Sequence, residues 1–279
     1  MSERRAILIT GGASGMGLAT ARLFGRQGWF VGALDLSAPG LTKLGNELPP
    51  DRLFTARLDV RDRDAFGRVV ADFARASGNR CDVLFNNAGI GRSGFFDETP
   101  FEEHLAVIQV NLVGVLNGIY SVLPLLKRAP NSLCFTTSSS SATFGMPGIA
   151  VYSATKHAVK GLTEALSVEF ARFGVRAACV LPGLIDTPIL DGPVFGTMAD
   201  NRPAGGDIRT VAPRDGMWRL TSPDEVAQCV WHAYHEGNRI HYYVPPEIGE
   251  IDRAKGESAE RARDLALGLA ITQLEPRKT

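Results

Sequence analysis

Ala6-Ile-Leu-Ile-Thr10-Gly-Gly-Ala-Ser-Gly-Met-Gly17 passes in one step from a short apolar run into a glycine cluster, and residues 17–28 continue with a helical pattern. A strand that feeds a glycine turn opening a helix is the start of a βαβ unit. Gly11, Gly15 and Gly17 let the backbone turn tightly, approach a pyrophosphate and pack the helix on the sheet, with the helix N-terminus facing the phosphates. A tight turn without a ligand uses glycine in the same way. The rest of the chain has to separate these readings.

Outward from this unit the alternation persists. Apolar runs at 30–34, 53–58, 83–85, 133–136, 175–181 and 240–244 join 6–9 as seven strands, and helical patterns at 62–77, 101–128 and 152–173 fill the gaps, with Gly174 as a C-terminal stop. Ser222-Pro-Asp-Glu225 combines an N-cap, a first-turn proline and a capping-box glutamate, which predicts a further helix. The expected fold is α/β: one Rossmann-like, doubly wound, parallel seven-stranded sheet flanked by helices over residues 1–246, then a C-terminal helical extension at 247–279. Residues 183–221 are irregular and rich in Gly, Pro and Asp, so they are assigned as a substrate lid.

Composition narrows the partners. The 279 residues are 44% hydrophobic and 22% charged, with thirty basic and thirty acidic side chains and a pI near 7.0. That balance gives no electrostatic footprint for nucleic acid or an anionic membrane, so a small-molecule partner is expected. Cys81, Cys134, Cys179 and Cys229 form no C-x-x-C pair and read as buried thiols of a reducing compartment. Arg4 and Arg5 precede an apolar run too short for a signal-peptide core or a membrane span, and a cytoplasmic protein is expected.

Tyr152 and Lys156 stand one helical turn apart, Ser139 lies thirteen positions before Tyr152, and Asn111 and the glycine turn lie further ahead. A Tyr-x-x-x-Lys pair alone is weak; the order of all these features resembles the short-chain dehydrogenase/reductase family over about residues 6–244. The resemblance matches T-G-x-x-x-G-x-G at Thr10, Gly11, Gly15 and Gly17, and implies that Gly11, Ser14, Gly15, Met16 and Gly17 bind a dinucleotide. Asp35, after the second strand, can accept hydrogen bonds from both ribose hydroxyls of NAD. Ser14 and Leu36 occupy positions that family members use for a basic NADP clamp, so NAD is the expected cofactor. The family likeness further implies that Asp59 and Val60 hold the adenine, although Asp59 is also an ordinary helix cap. It makes Asn86-Asn87-Ala88-Gly89 a scaffold beside the cofactor ribose, and it sets Pro182, Gly183, Ile185 and Thr187 at the nicotinamide carboxamide.

Hydride transfer between a carbinol carbon and nicotinamide requires a positioned acid/base. Tyr152 is the candidate, because a cation about 4 Å from a phenol at an effective dielectric of roughly 20 is worth about 4 kcal/mol, or about three pKa units. Lys156 shares its helix face and supplies that charge. The family places a substrate-orienting serine at Ser139, although Ser138, Ser140 and Ser141 are neighbours that could face the site, and a water-holding asparagine at Asn111. Phe95, Phe96, Phe144, Met146, Leu184, Leu190 and Trp218 fall in loops that the family brings around substrate, which favours an apolar secondary alcohol or ketone. His232 and His235 lack an evident third ligand, so no metal is assigned, and His157 is expected off the active face.

Pro245-Pro246 replaces the glycine-rich ending common in the family. A homodimer through the long helices is therefore retained, with a homotetramer less supported. A tail helix from about Ala254, with Ala262, Leu265, Ala266, Leu269, Ala270 and Leu274 in one stripe, reads as peripheral. Two other functions use the same motifs: an epimerase or dehydratase with bound NAD, and a non-catalytic NAD(H)-sensing binding protein. The complete Ser139, Tyr152 and Lys156 set argues against the latter.

Overall fold

The computed structural model describes residues 4–200 and 208–258. In chain order its main elements are β1 (Ala6–Thr10), α1 (Gly15–Arg26), β2 (Phe30–Asp35), α2 (Ala38–Gly45), β3 (Leu53–Arg57), α3 (Arg63–Ala76), β4 (Val83–Asn86), α4 (Phe101–Ile108), α5 (Gly114–Leu126), β5 (Leu133–Thr137), α6 (Ala150–Glu169), β6 (Arg176–Pro182), α7 (Gly196–Asp200), α8 (Ile208–Val211), α9 (Pro223–His235), β7 (His241–Val244) and α10 (Ile248–Glu257). The strands form one parallel sheet in the order β3-β2-β1-β4-β5-β6-β7. The order reverses between β1 and β4, which opens a crevice at the C-terminal ends of those strands.

Both sheet faces are buried, so the strands read as continuous apolar runs. Ile7, Ile9, Val31 and Ala33 pack with Leu23 and Phe24 of α1 and Val226 and Val230 of α9. Ala6, Leu8, Phe30 and Leu34 face the other layer, where Phe66, Phe73, Val115, Ile119 and Val159 come from α3, α5 and α6. Phe24, Phe66 and Phe73 are fully buried; truncating any one to alanine should cost about 3–5 kcal/mol.

Four local features differ from the sequence reading. The helix expected at 101–128 is broken by a π-helical turn at Gln109–Val113. Its apolar composition would suit a membrane span, with a mean hydropathy of 1.7, but buried Asn111 and Asn117 bind backbone of neighbouring loops. α2 was not expected, because Pro39-Gly40 resembles a turn; proline in the first helical turn and the Ser37 hydroxyl, which accepts from the Gly40 amide at 3.2 Å, start it. The last helix begins at Ile248, earlier than Ala254, and docks on its own chain with Ile248 and Ile251 fully buried. The stripe from Ala262 to Leu274 lies outside the described residues. Within the expected lid, a 3-10 turn at Pro188–Asp191, α7 and α8 supply short order, and bridges Ser93–Val194 and Ile185–Thr221 tie it to the body.

Candidate active site

The crevice is built first from glycines. Gly11 and Gly15 have φ of 67° and 48°, which disfavours other residues there. A Cβ on Gly17 would stand 2.0 Å from the Gly11 carbonyl oxygen, and one on Gly15 would stand 2.8 Å from Thr187 Cγ2. The turn therefore brings strand, helix and the loop after β6 together with no room for side chains. Ser14 is the extended N-cap of α1, yet its side chain makes no capping bond. The first-turn amides, including those of Gly15, Met16 and Gly17, thus face the crevice mouth with the positive end of the helix dipole. These residues fit a dinucleotide pyrophosphate.

Asp35 ends β2 beside this turn. One of its oxygens accepts from the Ala13 amide at 3.0 Å and the other from the Ser37 amide at 2.9 Å, which fixes the carboxylate in place. Asp59, expected at the adenine, is paired within its own loop. The Arg61 guanidinium grips it at 2.6 to 3.0 Å and holds its carboxyl below the usual carboxylate range. Val60 is buried against Gly114, and its carbonyl accepts from Asn117 at 2.9 Å.

The Asn86–Gly89 segment braces the sheet edge. The Thr10 hydroxyl accepts from the Asn87 and Ala88 amides at 3.0 and 3.1 Å, and the Asn87 side chain donates to the Thr10 and Gly11 carbonyls. Gly89 lies between Asn111 and Lys156: a Cβ there would stand 3.3 Å from Asn111 Oδ1 and 3.7 Å from Lys156 Nζ. Asn111 Oδ1 accepts from the Ile90 amide at 2.9 Å and its Nδ2 donates to the Ile90 carbonyl at 3.0 Å. Its side chain therefore clamps the Ile90 backbone.

The serine run resolves itself by hydrogen bonding. The Ser138 hydroxyl donates to the Lys156 carbonyl at 2.9 Å, whereas the Ser139 hydroxyl accepts from the Ser141 amide at 3.1 Å and its side chain interacts electrostatically with Tyr152. Lys156 is buried, donates to the Thr137 carbonyl at 2.8 Å, and lies 5.5 Å from the Tyr152 ring centre. Burial pushes the Tyr152 phenol up, opposed by Ser139, and holds the Lys156 ammonium down to about 8. The direction for the half-buried phenol is opposite to the sequence expectation of a lysine-depressed Tyr152, burial being its largest cause.

Pro182 ends β6 and Gly183 follows it, Ile185 is buried, and Thr187, 6% exposed, is the N-cap of the 3-10 turn and packs against Gly15. Phe95, Phe144, Leu184, Leu190 and Trp218 are half-buried on the loops above the crevice. Met146 is buried, its amide donating to the Ser153 hydroxyl at 3.1 Å, and Phe96 is exposed and stacks on His104. His232 pairs with Glu236 and His235 stacks on Trp231, while His157 bonds the Ser153 carbonyl and Lys255. Thr137 and Arg209 were missed by the sequence reading. The carbonyl of Thr137 has no side-chain signature, and the lid around Arg209 has no periodic pattern.

A family model described as short chain dehydrogenase matches residues 5–192. The chain is 36% identical over 230 residues to the 3-oxoacyl-[acyl-carrier-protein] reductase FabG of Thermotoga maritima, covering 82% of this chain and 89% of that protein. It is 33% identical over 192 residues to the levodione reductase of Leifsonia aquatica, covering 67% and 72%. Among solved structures, a variant actinorhodin polyketide ketoreductase with NADPH superposes with a TM-score of 0.78 at 28% identity, covering 88% of this chain and 97% of that one. The 3-ketoacyl-(acyl-carrier-protein) reductase of Brucella melitensis complexed with NADH shares the fold, with a TM-score of 0.73 at 24% identity over 88% and 99% of the two chains.

Proposed function

The chain belongs to the short-chain dehydrogenase family and is an oxidoreductase that uses a nicotinamide cofactor, and from that premise we propose that it interconverts a secondary alcohol and a ketone of an apolar small molecule with NAD. The convergence of Tyr152 with Ser139 and with buried Lys156, whose Nζ lies 5.5 Å from the Tyr152 ring centre, carries this reading. It sets a proton-transferring hydroxyl and an orienting hydroxyl together at the end of the crevice that the glycine turn opens.

When bound, the dinucleotide supplies the carbon that gives or takes hydride. Tyr152 exchanges the substrate proton at its hydroxyl, and Ser139 orients the substrate oxygen through its own hydroxyl. Lys156 is positioned by the Thr137 carbonyl to stabilise a developing phenolate and to meet the cofactor ribose. Asn111 holds the Gly89-Ile90 backbone that separates it from Lys156. Gly11, Gly15 and Gly17 with the amides at Ser14 and Met16 receive the pyrophosphate, Asn87, Ala88 and Gly89 flank the ribose, and Pro182, Gly183, Ile185 and Thr187 meet the nicotinamide. Val60 and Asp59 border the adenine, Asp59 through its Arg61 pair.

The fixed Asp35 carboxylate supports NAD, because a 2′-phosphate would meet like charge there. The half-buried Phe95, Phe144, Leu184, Leu190 and Trp218 support an apolar substrate. Exposed Phe101, Leu105, Tyr120 and Val168 on α4, α5 and α6 support a homodimer through those helices. Free cysteines, three of them buried, are consistent with a cytoplasmic setting. The test is a panel of secondary alcohols and ketones with NAD or NADH, followed by NADH absorbance. Absence of turnover across the panel by a protein that binds NADH would overturn the assignment.

A further inference from the structure

Arg209, in the lid, joins three acceptors of the loop after β6. Its Nε donates to Asp186 Oδ1 at 2.6 Å, its Nη1 to Asp191 Oδ1 at 2.7 Å, and its Nη2 to Asp191 Oδ2 at 3.2 Å and to the Thr187 carbonyl at 3.1 Å. Asp186 and Asp191 keep 51% and 61% of their side chains exposed, so each pair alone adds little stability. The value of the arrangement is geometric. A planar guanidinium fork fixes its acceptors relative to one another, which an ammonium cannot do.

What the fork fixes is a wall of the crevice. Between the two aspartates runs the turn Pro188–Asp191 with Thr187 as its cap. Thr187 packs against the glycine turn at Gly15, and Ile189 Cγ1 lies 3.3 Å from where a Cβ on Gly91 would stand. One short turn thus touches both the phosphate end of the crevice and the segment that follows β4. We propose that Arg209 is a positioning residue for the cofactor site: from the lid it sets the Asp186-to-Asp191 turn, so that Thr187 is presented to the nicotinamide end and lid order is coupled to cofactor affinity. This rests on the reading that the crevice binds NAD.

The experiment uses the full chain and NADH itself, titrated by fluorescence, with kcat and cofactor KM measured in parallel. Arg209→Gln should raise the NADH Kd and the cofactor KM by at least about fivefold while kcat at saturating cofactor stays within about threefold. Arg209→Lys should fall between the glutamine variant and wild type. Asp191→Asn should raise the Kd by at least about threefold and add little on top of Arg209→Gln, because the two share one interaction. Arg214→Gln, elsewhere on the exposed lid, should change neither constant. A smaller Kd rise in Arg209→Gln, or a kcat loss with Kd and cofactor KM unchanged, overturns the proposal. If Arg209→Gln does not fold, Asp191→Asn decides by the same threefold limit. A wild type that binds no NADH sinks the cofactor reading itself, a result distinct from wild-type binding retained in Arg209→Gln.

Discussion

The Lys160 ammonium reaches both oxygens of Asp252, at 2.5 and 2.7 Å, and Tyr243 donates to the same carboxylate at 2.7 Å. This fastens α10 to α6 one helical turn beyond Lys156. Both charged side chains are largely buried, at 15% and 12% exposed, so removing one strands the other, at a cost of about 3–5 kcal/mol.

Asp252→Ala should therefore lower the thermal midpoint by roughly 6–15 °C, read by calorimetry. Deleting the residues after Glu250 removes both this link and fully buried Ile251. From the sequence alone such a truncation would leave a folded protein; the docked α10 reverses that, and the truncated chain should be insoluble or unfolded at ambient temperature. A truncated protein with an unchanged thermal midpoint would contradict the role given to α10.

Tyr152→Phe keeps the ring beside Lys156 and deletes the hydroxyl. Turnover should fall by at least about a hundredfold with NADH binding nearly unchanged, since the hydroxyl acts only in the chemical step. Steady-state rates beside a fluorescence titration check this, and activity within about tenfold of wild type would remove Tyr152 from the mechanism.

Lys156 offers a pH signature. Burial holds its ammonium down to about 8 against an ordinary 10.5, so over that window the unfolded chain binds more protons at this group than the folded one, and stability rises with pH. Lys156→Met abolishes that contribution along with turnover. Between about pH 7 and about pH 10, wild type should gain on the variant by about 1–3 kcal/mol, measured by denaturant unfolding of both proteins. A stability difference independent of pH would mean that Lys156 does not titrate in this range.

Asp35 should decide the cofactor. Wild type is expected to prefer NAD over NADP by at least about a hundredfold in kcat/KM, because a phosphate beside a fixed carboxylate is left unpaired. Asp35→Ala with Leu36→Arg removes the repulsion and adds a donor fork, so it should gain NADP activity and lose NAD affinity. Kinetics with both cofactors test this; equal efficiency of the unmodified enzyme would detach Asp35 from the ribose.

The strands were readable because a parallel sheet buried on both faces needs unbroken apolar runs, and the glycine turn because Gly11, Gly15 and Gly17 each have a steric reason to lack a side chain. Ser139 could be chosen from its neighbours only by register against Tyr152; what excludes Ser138 is its bond to the Lys156 carbonyl, a contact eighteen residues away. Two electrostatic features have no signal in the sequence. Arg61 is only two residues from Asp59, yet nothing in the pattern says that the pair closes, and the Tyr152 phenol is raised because desolvation depends on packing that no spacing reveals. The position of Asn111 was legible, but its amide is consumed by Ile90 through a backbone bulge that has no side-chain code.

That bulge sets a limit on how this chain can change length. The turn at Gln109–Val113 holds one residue more than an α-helical path would need. Excising that one residue would let α4 and α5 fuse into a regular helix that stays in phase, whereas excising one from regular α5 ahead of Asn117 would rotate everything downstream by about 100° and slide it by about 1.5 Å. Asn117 would leave the Val60 carbonyl, and Gly118 would no longer face Asn86, whose Oδ1 lies 2.2 Å from where a Cβ on Gly118 would stand. A one-residue deletion early in α5 is therefore a phase error carried through the rest of that helix, whereas the same deletion in the bulge is absorbed where it occurs. The helix that holds Asn111 can lose a residue at its bulge and keep its phase, but not beyond it.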